Sequence, residues 1–223
     1  MAFTKELRTE LVSLLGEDWV KDDPVTLYTY RCDGLTLYTA PPMGVVFPGN
    51  RNELVEVVKK LHSRKLPFVP RGAGTGLSGG AVPRQQSVII EMARFKEIHD
   101  IDWLNRTITV GPGVINLRIS EKVQPDGYHY VPDPSSQKAC TIGGNVAENS
   151  GGPHTLKYGV TVNHVLGLEM VLPDGEVVEL GGKTFPIAGP DMLALVIGSE
   201  GLSLIHISEP TRPERIAVAR VCV

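Results

Sequence analysis

Cysteine is scarce and scattered in this chain. Its 223 residues include three, Cys32, Cys140 and Cys222, odd in number and far apart. With no C-x-x-C pair, the sequence excludes an iron–sulfur or zinc centre built on clustered thiolates. The same scarcity fits a reducing, cytoplasmic compartment. Long hydrophobic runs are also missing. No stretch approaches the roughly 18 consecutive apolar residues of a membrane span, and Met1–Glu6 lacks the apolar run of a signal peptide. Excess charge is absent too. Lysine and arginine number 22 against 25 aspartates and glutamates, which leaves no basic surface for nucleic acid.

Glycine is abundant, with 24 residues, and hydrophobic residues make up 42% of the chain. The glycines alternate with apolar segments, so they mark backbone positions with special geometry, not disorder. The length suits one large domain or two small ones with a sizeable core.

Glycines concentrate in Pro70–Gly80, where five of eleven residues are glycine. Such a loop lets a ligand approach the backbone, and successive N–H groups can form an anion-binding nest. A flexible surface loop would have the same composition. The flanking pattern helps to decide. Gly44–Pro48 reads as a strand. Asn50 and Glu53 form a capping-box pattern before Leu54, Val57, Val58 and Leu61, the clearest helical spacing in the chain. Pro67–Pro70 is the next strand. Together these predict a βαβ unit with a parallel pair, and the glycine loop leaves the carboxyl end of its second strand, where ligands gather in α/β units.

Gly74-Thr75-Gly76-Leu77-Ser78-Gly79 matches G-x-G-x-x-G, but its context excludes a Rossmann fingerprint. Pro83 and a strand at Ser87–Met92 follow, leaving no room for the helix that motif opens. Without Gly-Lys-Ser/Thr the loop is not a P-loop either. Any nucleotide here must be held by backbone amides of a loop between strands.

Elsewhere, Lys5–Leu15 reads as a short amphipathic helix and Tyr28–Gly34 as a loop. A hairpin is expected at Glu97–Asp102 and Arg106–Val110, and a short helix in Val114–Val123. A second hairpin is expected at His164–Leu172 and Glu176–Leu180, and a short helix at Met192–Ile197. Within 141–152, the small residues Gly143, Gly144, Ala147, Ser150, Gly151 and Gly152 leave a surface on which a flat ligand can lie. Close packing of a short helix against a strand would use the same residues.

Five motifs occur together and in order: PRGAGTGLSGG (70–80), PDPSS (132–136), TIGGNVAENSGG (141–152), KYG (157–159) and GSEG (198–201). This set resembles the FAD-binding domain of the FAD-linked oxidase family of vanillyl-alcohol oxidase type, over roughly residues 5–202. The resemblance implies an α+β, PCMH-type FAD-binding domain of two subdomains. One is a small parallel βαβ part, the other a mainly antiparallel sheet with flanking helices. It implies a division into an N-terminal helix and loop (1–40), the FAD-binding domain (41–202) and a tail (203–223).

Carried over position by position, Pro70, Arg71, Gly72, Ala73, Gly74, Thr75, Gly76, Ser78 and Gly79 would bind the pyrophosphate. Pro132, Asp133, Ser135, Thr141, Gly143, Gly144, Asn145, Ala147, Ser150, Gly151 and Tyr158 would line the flavin and its ribityl chain. Glu200 and Gly201 would close the adenosine side. Relatives with covalently bound flavin often carry a histidine in the glycine loop. Here Thr75 stands in that region, which implies non-covalent FAD.

The implied chemistry is oxidation of a small 2-hydroxy acid such as glycolate, D-lactate or D-2-hydroxyglutarate, with hydride passing from the α-carbon to flavin N5. A flavin-binding and an iron–sulfur partner subunit are implied, with electrons passing towards the membrane quinone pool from a peripheral position at its inner face. From about Leu202 or Ser203 the chain departs from the family pattern and reads as translated adapter sequence, the alternative being a genuine divergent strand at Leu204–Ile207 followed by a proline-containing tail. The family's substrate (cap) domain is then expected to be missing, and with it the catalytic base and any metal ligands. A non-catalytic FAD-binding fragment is the matching alternative. His154 and His164 are read as structural hydrogen bonders, and Arg31 and Asp33 as residues of a surface turn, with reach to the flavin edge as the alternative.

Overall fold

The computed structural model describes residues 3–83, 86–182, 189–200, 205–206 and 219–222. The first helix, α1 (Lys5–Leu15), begins where the Thr4 hydroxyl accepts the Leu7 N–H at 3.2 Å. Its Leu7, Leu11 and Leu15 form one buried stripe at helical spacing. Strand β1 (Val20–Lys21) and helix α2 (Pro24–Thr29) follow. Helix α2 ends inside the stretch expected to be a loop. It starts on Asp23, whose side chain accepts the Thr26 N–H, with Pro24 in the first turn, a start signal outweighed by the polar, aromatic composition further on.

Next come β2 (Gly44–Val46) and α3 (Arg51–Ser63). Half of the capping box forms as expected, since Asn50 accepts the Glu53 N–H at 3.0 Å; the Glu53 carboxylate reaches past the cap to accept the Gly49 N–H at 2.7 Å and the Asn50 side-chain amide at 2.6 Å. Leu54, Val57, Val58 and Leu61 are fully buried.

Strands β3 (Phe68–Arg71) and β4 (Val88–Glu91) complete the first sheet, in the order β1-β2-β4-β3. Here the expected βαβ pairing needs correction. Strands β2 and β3 are parallel but not neighbours, because β4 lies between them, with Ile89 opposite both Val45 and Val69. The chemistry explains the order. All four β4 residues are buried, as suits a central parallel strand. Strand β3 carries Pro70, which cannot donate to a ladder and belongs at an edge.

The second sheet is antiparallel. The hairpin β5 (Ile98–Asp102) and β6 (Thr107–Val110) leads to α4 (Asn116–Val123), α5 (Ile142–Glu148) and the one-turn α6 (Thr155–Tyr158). A second hairpin, β7 (Val165–Val171) and β8 (Val177–Gly181), precedes α7 (Met192–Val196), which is capped by Asp191. Two short strands come from the stretch expected to be foreign to the domain. Strand β9 (Ile205–His206) pairs with β7, and β10 (Ala219–Cys222) lies between β6 and β7.

Leu7, Leu54 and Ile90 belong to one core, and Ile108, Ile119, Ile142 and Val146 to the other. They meet at Gly111-Pro112-Gly113. There the Gly113 N–H donates to Phe95 O, and the Gly143 N–H donates to Pro112 O at 2.9 Å. That joint sets α5 against the glycine loop.

Candidate functional site

A cavity of about 590 Å³ opens between the glycine loop and α5, within the range of small-molecule sites. The wall from the first sheet is Pro70 to Ser78 with Gly80 and Ala81. No helix opens from this loop among the described residues, so it connects β3 to β4 through backbone turns. Gly74 has φ +66°, and a Cβ there would stand 2.2 Å from Arg71 Nη2. The loop therefore passes directly over the Arg71 guanidinium. Arg71 is nearly buried, and its Nη1 donates to Cys32 O at 2.8 Å and Ala81 O at 2.9 Å. A positive charge held under a run of amides favours an anion above them. Beside it on β4, Glu91 is buried, and its carboxyl is pushed up to about 8 by desolvation, opposed by the Arg71 charge.

The opposite wall is α5 and its approach. Ser135, Thr141, Gly143, Gly144, Asn145, Ala147 and Ser150 all face the cavity. A Cβ at Gly72 would stand 2.2 Å from Thr141 Oγ1, so the two walls nearly touch and both glycine-rich runs are needed for the approach. Thr141 Oγ1 is buried without a hydrogen-bond partner among the described residues. Asn145 is fixed in depth: its Nδ2 donates to Asn116 Oδ1 at 2.7 Å, and Asn116 Nδ2 donates to Pro132 O at 3.0 Å. This buried chain ties α5, α4 and the 132–136 segment together.

Four expected residues lie off the cavity wall and serve its frame. Pro132 presents its carbonyl to Asn116. Asp133 Oδ2 faces His154 Nδ1 at 2.5 Å, and a Cβ at Gly152 would press on Asp133 O. Gly151 packs near Thr155 and Val160. Tyr158 lies beneath the Lys157 ammonium, 4.7 Å from its ring centre. Gly79 is also off the wall, its N–H donating to Asp33 Oδ2 at 3.0 Å. Glu200 reaches the cavity; Gly201 lies outside the described residues. His164 Nε2 contacts Tyr158 O at 3.0 Å. Arg31 stacks on Tyr28.

The cavity also takes residues that motif reading passed over: Leu77, Gly80, Ala81, Met92, Pro112, Ser136, Cys140 and Glu148. Glu148 accepts from the Ser78 hydroxyl and so links the two walls. Its position inside the 141–152 motif was the available signal. Burial pushes the Cys140 thiol up, which disfavours its thiolate. Met92 and Pro112 come from outside every motif, and only the fold brings them in.

Fold and site define an α+β domain with a cavity walled by two glycine-rich runs of backbone. The chain belongs to the FAD binding domain family, which matches residues 42–181. It is 51% identical over 173 residues to glycolate oxidase subunit GlcD of Escherichia coli K12, covering 78% of this chain and 35% of that protein. It is 37% identical over 177 residues to a D-lactate dehydrogenase of Archaeoglobus fulgidus, covering 77% of this chain and 40% of the relative. A solved structure of alkyldihydroxyacetonephosphate synthase shares the fold, with a TM-score of 0.81 at 23% identity, over 98% of this chain and 40% of that one. The chain thus spans 35% and 40% of the length of these two relatives.

The residues present fit FAD, the cofactor of this family. The cavity has a backbone-lined floor at Gly72 and Gly74 that a side chain would fill, a buried arginine beneath it and an orphaned hydroxyl on Thr141. No helix among the described residues is long and apolar enough to cross a membrane.

Proposed function

We propose that this chain is the FAD-binding domain of a flavin-dependent 2-hydroxy-acid oxidoreductase, holding FAD non-covalently in the cavity between the glycine loop and α5. The observation that carries the reading is the meeting of those two runs. They join the guanidinium beneath Gly74 to the orphaned hydroxyl of Thr141 in one cavity. Amides of residues 71–78 would cradle the pyrophosphate over the Arg71 charge, while Thr141, Gly143, Gly144, Asn145 and Ser150 would line the flavin side. Bound FAD supplies the two-electron acceptor for substrate oxidation. The chain's own part is to orient that acceptor and exclude water from its walls. No catalytic base is assigned among its residues.

The substrate reading rests on relatives named for glycolate and D-lactate. One relative is named a subunit of an oxidase, which supports partner subunits; we read these as one flavin-binding and one iron–sulfur subunit, placed at the inner face of a membrane. The FAD-binding domain is read as 41–202 after an N-terminal helix and loop. Residues 203–223 lie outside its motifs, although two short strands from that stretch pair with its sheet. Acid precipitation of the FAD-loaded chain tests the mode of binding. Yellow supernatant is expected, and a yellow pellet would contradict it. For the substrate class, the test uses an enzyme of the relatives' full length that carries this domain: anaerobic 2-hydroxy acids should bleach its flavin. Bleaching by simple alcohols and not by 2-hydroxy acids would overturn the assignment.

A further inference from the structure

We propose that Asp33 is a positioning residue for the cofactor's pyrophosphate, setting the shape of the glycine loop from outside the family-matched residues. The proposal rests on the reading that this loop holds the pyrophosphate. Three consecutive residues touch the loop at its start, middle and exit. The Cys32 carbonyl accepts from Arg71 Nη1, which also donates to Ala81 O. The Gly34 N–H donates to Gly76 O at 3.0 Å. Asp33 Oδ2 accepts the Gly79 N–H at 3.0 Å, while its Oδ1 accepts the Leu35 N–H at 3.0 Å. Asp33 is only 6% exposed.

A run of five glycines samples many backbone conformations, and its amides converge on one point only if something imposes that shape. The family model matches residues 42–181, so the imposing segment lies just before the matched residues. Its charge is the telling feature. A buried carboxylate next to an anion site repels the anion. Asp33 therefore helps binding only through geometry, by holding Gly79 and the exit of the loop. Electrostatics and positioning predict opposite signs for removing its charge.

The test uses the full chain with ADP, which carries the pyrophosphate without the flavin, and with FAD. Asp33→Asn keeps the shape but turns an amide NH₂ on one of the two N–H groups that Asp33 accepts. We expect ADP and FAD to bind about tenfold more weakly, corresponding to about 1.4 kcal/mol. A purely structural role would lower the melting temperature of the ligand-free protein and leave the affinity of the folded fraction unchanged. Equal or tighter ADP binding by Asp33→Asn overturns the proposal alone. If the parent chain binds FAD but ADP neither binds nor competes, the loop reading fails and the proposal with it. Should Asp33→Asn not fold, Gly34→Ala decides. Its Cβ would stand 2.9 Å from Thr75 O, shifting the loop with the carboxylate intact. Weaker ADP binding supports the proposal, and unchanged binding overturns it.

Discussion

The Arg71 guanidinium sits directly beneath Gly74: a Cβ added there would stand 2.2 Å from Nη2, at a backbone φ of +66°. Two carbonyls hold that guanidinium, so it has little freedom to withdraw. Gly74→Val therefore meets both a backbone region closed to β-branched residues and a fixed cation. The left-handed conformation alone costs about 1–2 kcal/mol. The expected outcome is a folded or partly destabilised chain without FAD, measured as flavin absorbance per protein after reconstitution. Stoichiometric flavin in Gly74→Val would contradict an amide cradle at this position.

Thr141 gives a prediction in which stability and affinity move apart. Its hydroxyl is buried without a partner and faces the cavity floor at Gly72. Thr141→Val removes the orphan at similar volume. The ligand-free protein should melt at the same or a higher temperature, since an unpaired buried hydroxyl costs about 1–3 kcal/mol. FAD binding should weaken by about five- to tenfold, the worth of one hydrogen bond of about 1 kcal/mol. A loss of ligand-free stability with unchanged affinity would place the Thr141 hydroxyl in the frame instead of the site.

The Asn145–Asn116 pair is a test of the frame itself. Asn145→Ala strands the Asn116 Oδ1 in the interior, where an unsatisfied acceptor costs about 1–3 kcal/mol. Thermal melts should show that loss, and FAD should bind more weakly because α5 is no longer tied through Asn116 to Pro132. An unchanged melting temperature would contradict the role given to this chain of amides.

Glu91 predicts a pH dependence. Burial raises its carboxyl to about 8 in the folded protein, against about 4.3 in an unfolded chain. Between these values the folded state holds a proton that the unfolded state releases. Stability from this group is therefore full below about pH 4.3 and falls as pH rises to about 8, by up to about 1.4 kcal/mol per unit. Glu91→Gln removes the slope. The difference in melting temperature between variant and parent should grow in the variant's favour from pH 5 to pH 8. A constant difference across that range would refute the assignment.

Much of this was legible in the sequence, for local reasons. Asn50 with Glu53 and the leucine–valine stripe announce α3 through hydrogen bonds and contacts within one helix. The missing helix after the glycine loop could be read from Pro83 and the strand that follows. Sheet order was not local. Nothing near Val88 says that β4 slides between β2 and β3, although Pro70 already marked β3 as an edge strand. The same division holds at the site. Glycine-rich runs identify themselves, because close approach needs residues without side chains. Met92 and Pro112 enter only through the fold. Asp33 read as part of a surface turn, since its partner Gly79 lies 46 residues away.

The central claim is that the cavity between the glycine loop and α5 holds FAD. The visible absorption spectrum of the purified chain, reconstituted with FAD and freed of excess cofactor, tests it most directly. Flavin bands at one FAD per chain are expected. A chain that folds but shows no flavin bands after reconstitution would contradict it.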